Sequence, residues 1–160
     1  MWTGFVTVAL ASSCALYAIQ GGNDDEALAL ERSEEVLASG MALYRDAVVR
    51  YAHDNPAFQG KVPDAQLALP AWHAALDAGL WSNHVRADGL IMVYATRLPK
   101  VDIGASMAAL AHGSELAGRA NRSSGRIDPS ARSGSGVVAL PDIPSPGVPH
   151  GAPVWLAHRY

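Results

Sequence analysis

Charge is missing from the start of this chain: no Asp, Glu, Lys or Arg precedes Asp24. Cysteine is nearly missing as well, and the single one, Cys14, lies inside that uncharged stretch. One cysteine excludes an intramolecular disulfide and any cysteine-based zinc set. Packing must therefore hold the rest of the chain together. Basic residues are few, 12 Lys and Arg against 15 Asp and Glu for a net charge of −3, and they are scattered. That excludes the basic stripe of a nucleic-acid-binding surface, so no nucleic-acid partner is expected.

Catalytic signatures are lacking too. The nucleophile elbow G-x-S-x-G does not occur. Gly104-Ala105-Ser106 and Gly134-Ser135-Gly136 do not match a phosphate-cradling loop. The histidines, His53, His73, His84, His112, His150 and His158, include no pair at the helical spacing of a metal site. His73 and His84 lie near Asp77 and Asp88, a pairing common in solvated loops. The reading is a non-enzyme with no metal and no cofactor.

What the amino-terminal segment does have is apolar length. Trp2 to Ile19 is 18 residues, which as a helix spans about 27 Å, close to the ~30 Å hydrocarbon core of a bilayer. Residues 1–22 read as a transmembrane anchor in contact with lipid through Trp2, Phe5, Val8, Leu10, Leu16 and Ile19. Ala9-Leu10-Ala11 and the 18–22 stretch also offer small residues at which a signal peptide could be cut. After the anchor come Asp24, Asp25 and Glu26, and the first basic residue is Arg32. Because Lys and Arg mark the cytoplasmic side, the expected arrangement is a single-pass bacterial inner-membrane protein with its body in the periplasm.

Residues 23–160 form one expected domain, opening on a long amphipathic helix over 23–55. Asn23 is a candidate cap, and the acidic residues after it complement the positive end of the helix dipole. Leu30, Leu37, Met41, Tyr44, Val48 and Tyr51 recur on one face. That stripe fits a sheet core, or else half of a coiled coil that would make a homo-oligomer. The acidic side near Glu31, Glu34 and Glu35, or the proline-rich stretch 144–149, is the candidate partner-docking face. Asn55-Pro56 ends the helix.

Shorter elements follow. Pro70 can start a helix through Trp72 and Leu76 towards Gly79. Trp81–Val85 and Leu90–Ala95 flank Asp88-Gly89, a hairpin signal. A helix is expected over Ser106–Ala111, then a second hairpin with segments 115–121 and 126–128 around Ser123-Ser124-Gly125. Six of the 10 prolines fall between Pro129 and Pro153, which reads as a surface loop before a terminal strand, Val154–Ala157. Trp72, Trp81, Tyr94 and Trp155 are expected in the core. The fold class is α+β: an N-terminal transmembrane helix, then a long amphipathic helix packed on a small antiparallel sheet with short helices.

In its order of features the chain resembles the small PilM family of type IVB and conjugative thin-pilus systems, distinct from the actin-like protein of that name. The features are Met1-Trp2, Tyr44-Arg45-Asp46-Ala47-Val48-Val49 with Tyr51-Ala52, Gly60-Lys61-Val62-Pro63 and Leu67-Ala68-Leu69-Pro70. Trp81, Val93-Tyr94, Ile127-Asp128-Pro129 and Leu140-Pro141 follow in the same order. The resemblance implies an inner-membrane component of pilus assembly or of the basal body, with other pilus-assembly proteins as partners and no catalytic residues. The chain also looks similar to type IV prepilins, which are cut after a glycine before an apolar helix, as Gly4-Phe5 would allow. Ala9 stands where pilins carry glutamate, and Gly21-Gly22 interrupts the helix. That leaves a minor pilin-like subunit, and beyond it an exported periplasmic enzyme, as the competing readings.

Overall fold

A computed structural model describes residues 33–76, 79–130, 138–142 and 147–159. The anchor residues Trp2, Phe5, Val8, Leu10, Leu16 and Ile19, together with Glu31, lie outside the described residues, as does the start of the long helix. Among the described residues, no helix is long and apolar enough to cross a membrane. Glu34–Tyr160 forms one compact unit.

Helix α1 occupies 33–54. Its Met41, Tyr44 and Val48 are buried as their spacing predicts, and Ala38, Ala47 and Ala52 widen the stripe. The alanines carry no large apolar group, but they let the helix lie close to its neighbours. Asn55 ends α1, its side-chain amide and its backbone N–H both donating to the Tyr51 carbonyl. A 3-10 turn at Asp64–Gln66 and helix α2, Ala71–Leu76, follow.

The strands are β1 Trp81–Val85, β2 Leu90–Ala95, β3 Ala117–Asn121, β4 Arg126–Pro129, β5 Val138–Ala139 and β6 Pro153–His158, with helix α3, Gly104–Leu110, between β2 and β3. They make one six-stranded sheet in the order β1-β2-β6-β3-β4-β5, with every neighbouring pair antiparallel. The last strand in chain order thus lies inside the sheet, between β2 and β3. Both expected hairpins are present. Asp88 accepts from the Leu90 amide at 3.1 Å, and Gly89 takes φ 84°. Ser124 donates its amide to Asn121 Oδ1, and Gly125 takes φ 65°.

Register shows which face the helices cover. Asn83, Val93, Trp155 and Ala117 are aligned across four strands. Side chains in one such rung share a face. Asn83 bonds Tyr44 of α1, and the Arg45 guanidinium lies 5.1 Å over the Trp155 ring. Arg119, two residues beyond Ala117, pairs with Asp102 at the start of α3. Helices α1 and α3 therefore share one face. The alternate residues Met92, Val154 and Leu156 are buried on the other.

Two expectations need correction. The proline-rich stretch is not simply a surface loop: Val138–Ala139 pairs with β4 as an edge strand, and Val148 and Ala152 are buried. A two-residue strand is too short to show alternation, which is why the sequence concealed it. Helix α3 also begins at Gly104, before the predicted Ser106. The Asp102 carboxylate accepts from the Gly104 amide at 2.9 Å, satisfying one of the free donors of the first turn.

Candidate docking groove

Helices α1 and α3 lie side by side with a groove of about 350 Å³ between them, lined by Glu35, Ser39, Ala105, Ser106, Ala109 and Leu110. Its walls follow from local sequence. Spacings of four put Glu35 with Ser39, and Ala105 with Ala109, on common helix faces. Met107, on the opposite side of α3, is buried in the core. The small side chains leave the groove open, and Leu110 is exposed at its edge. Among the described residues a carboxylate is its only charge, and no Lys or Arg lines it.

Of the predicted docking residues, Glu35 lies in this groove and Glu34, its neighbour, is half-buried. The α3 wall went unpredicted. Its signal was legible in Gly104–Leu110, a helix with no charged residue at all, where a solvated face would ordinarily carry some.

A second concavity, of about 320 Å³, lies beside α1 and α2 and includes Tyr44, Asp64, His73 and Trp81. The Tyr44 hydroxyl donates to Asp64 Oδ1 at 2.6 Å and accepts from Asn83 Nδ2 at 2.9 Å. Burial above all, and then the bond to Asp64, pushes the Tyr44 phenol well above its ordinary value. His73 lies on the expected helix but, unlike a solvated histidine beside an acidic neighbour, it is buried. It is 8% exposed, stacks on Tyr44 with ring centres 5.8 Å apart, and reaches the Gly40 carbonyl at 3.0 Å through Nε2. Helix α2 places it there by packing on α1. His84, on β1, is held below the usual imidazole range, first by burial and then by Arg86.

The aromatic expectation divides. Trp81 and Trp155 are in the core and Tyr94 is half-buried, but Trp72 is 52% exposed. His73 takes the inward position of that helical turn, which turns its neighbour Trp72 outward. No group of three or more His, Cys, Asp or Glu side chains able to hold a metal ion occurs among the described residues.

The domain is thus a small α+β module whose helices flank an open groove on one face of an antiparallel sheet. The PilM family model matches residues 8–156, and the chain belongs to the PilM family. Membership ties it to pilus assembly. A solved PilM protein from Escherichia coli B7A is similar to it at 21% identity and a TM-score of 0.49, over 79% of this chain and 93% of that one. No curated protein matches the chain.

Proposed function

We propose that this chain is a non-enzymatic component of a type IVB-like pilus assembly apparatus, acting through protein contacts. Residues 1–22 anchor it in the bacterial inner membrane, with the body in the periplasm. The observation that carries the contact reading is the α1–α3 groove, open, lined by small side chains, and bearing Glu35 as its one charge among the described residues. Such a groove suits a helix of another pilus-assembly protein. Small walls let two helix backbones approach, and a Lys or Arg on the incoming helix meets Glu35. A homo-oligomer through the apolar stripe of α1 is disfavoured over 38–52, because Met41, Tyr44 and Val48 are spent in the domain's own core.

Charge reversal tests the groove. Replacing Glu34 and Glu35 by lysine should abolish piliation while leaving the melting temperature unchanged; normal piliation in that variant removes the groove from the proposal. The anchor is tested separately by the intact mass of the protein isolated from its host membrane. A mass matching all 160 residues supports the anchor. Loss of the segment through Gly4 means prepilin-type processing, and loss of roughly the first twenty residues means a removed signal peptide.

A further inference from the structure

The two ends of the sheet differ in character. At one end β1 runs into the turn Arg86–Gly89 and β6 into Arg159, whose guanidinium reaches the Pro56 carbonyl just past the C-terminus of α1. The opposite end is where β2 and β3 finish and β1 and β6 begin. Tyr44 and Arg45 lie over the middle of the sheet, at Asn83 and Trp155. The N-terminal half of α1 therefore runs towards this second end. Val36, Trp72 and Leu98 belong there, three of the four exposed large apolar side chains among the described residues. Val36 is one turn before Gly40 on α1, and the Gly40 carbonyl meets His73, the neighbour of Trp72. Leu98, 59% exposed, is in the loop leaving β2 and lies close to Gly151, just before β6.

Exposed cations accompany these groups: Arg97 and Lys100 flank Leu98, and Arg122 follows β3. Of the carboxylates at this end, Asp102 pairs with Arg119 and Glu35 lines the α1–α3 groove. Carried by three separate segments, the apolar side chains suit a broad, yielding surface better than a single pocket. The chain itself names that surface. Residues 1–32 join α1 at this same end, and they include the apolar run Trp2 to Ile19. We propose that this end of the domain rests on the phospholipid bilayer. Trp72 and Leu98 enter the headgroup layer, and Lys100 and Arg122 reach the lipid phosphates. This rests on the reading of residues 1–22 as the anchor.

The test uses the full-length protein with Cys14→Ser, reconstituted in vesicles of phosphatidylcholine and phosphatidylglycerol. A nitroxide is attached at Leu98→Cys, at Trp72→Cys or, on the far turn as the aqueous reference, at Asp88→Cys. All three positions are exposed, so the labels leave the core untouched. Collision rates are measured with oxygen, which concentrates in lipid, and with a water-soluble nickel chelate. The oxygen-to-nickel ratio should be at least about threefold higher at 98 and 72 than at 88. Retention of the protein on the vesicles through an alkaline carbonate wash reports the anchor separately. Equal ratios at the three positions in retained protein overturn the resting surface while the anchor stands, and leave this end to a protein partner. Protein that washes off overturns both.

Discussion

The side-chain amide of Asn83 pairs with both backbone groups of Val62. The Val62 amide donates to Asn83 Oδ1 at 2.8 Å, and Asn83 Nδ2 donates back to the Val62 carbonyl at 3.0 Å. The remaining amide proton goes to the Tyr44 hydroxyl. One side chain on edge strand β1 thus serves as a neighbouring strand would, next to the Gly60–Val85 bridge, where backbone bonds run both ways. With Asn83 only 1% exposed, water cannot take its place.

Asn83→Ala should accordingly lower stability by about 2–4 kcal/mol, since it strands the Val62 amide and carbonyl without partners. A drop in the denaturant midpoint at unchanged m-value would report this. A loss below about 0.5 kcal/mol, the range of an ordinary surface change, would show that the pairing contributes little.

Gly118 sits in β3 where no other residue fits. A Cβ there would stand 2.7 Å from Ile127 Cγ2 and 2.8 Å from the Asp128 carbonyl carbon on β4, with the carbonyl oxygen nearer still. The strand pair cannot yield to it without breaking register. Gly118→Ala should cost about 2 kcal/mol or more by overpacking, read as a fall in melting temperature. A variant as stable as the parent would contradict the close approach of β3 and β4.

Arg159 ties separate segments together. Its guanidinium donates to the Pro56 carbonyl, to Phe58 at 3.5 Å and to Arg86 at 3.3 Å, while its own amide bonds Gly89. Arg159→Met keeps much of the stem and removes the donors. The expected loss is about 1 kcal/mol, with faster hydrogen exchange at the Phe58 and Gly60 amides. Unchanged exchange there would mean that the loop after α1 is held by other contacts.

Two titrations should affect stability in opposite pH ranges. Tyr44 resists ionisation when folded, so its contribution is complete below the ordinary phenol value of 10.0 and declines as pH rises above it. His84 resists protonation when folded, so its contribution is complete above 6.5 and is lost as pH falls. Denaturation midpoints should therefore fall less steeply above pH 10 in Tyr44→Phe and less steeply below pH 6.5 in His84→Gln. Parallel curves for parent and variant would refute each assignment.

Periodicity and turn chemistry made much of the architecture legible. Met41, Tyr44 and Val48 marked the buried side of α1, and Asp88-Gly89 and Ser124-Gly125 marked both hairpins. These are local signals, set by residues a few positions apart. The insertion of β6 between β2 and β3 is a pairing over long separations, and no local pattern encodes it. The burial of His73 was hidden for a related reason. Its partner, the Gly40 carbonyl, is 33 residues away, while the nearby Asp77 suggested a solvated pair. The candidate groove was half legible. Glu34 and Glu35 stood out as charges, whereas the α3 wall is built of Ala and Ser, whose importance appears only once two helices are side by side.

The position of β6 also bears on when this domain can exist. During synthesis, β1 and β2 can pair as a hairpin, and so can β3 and β4, but each pair waits with one long edge open until β6 is made. A sheet completed by its latest strand favours folding after synthesis over folding during it.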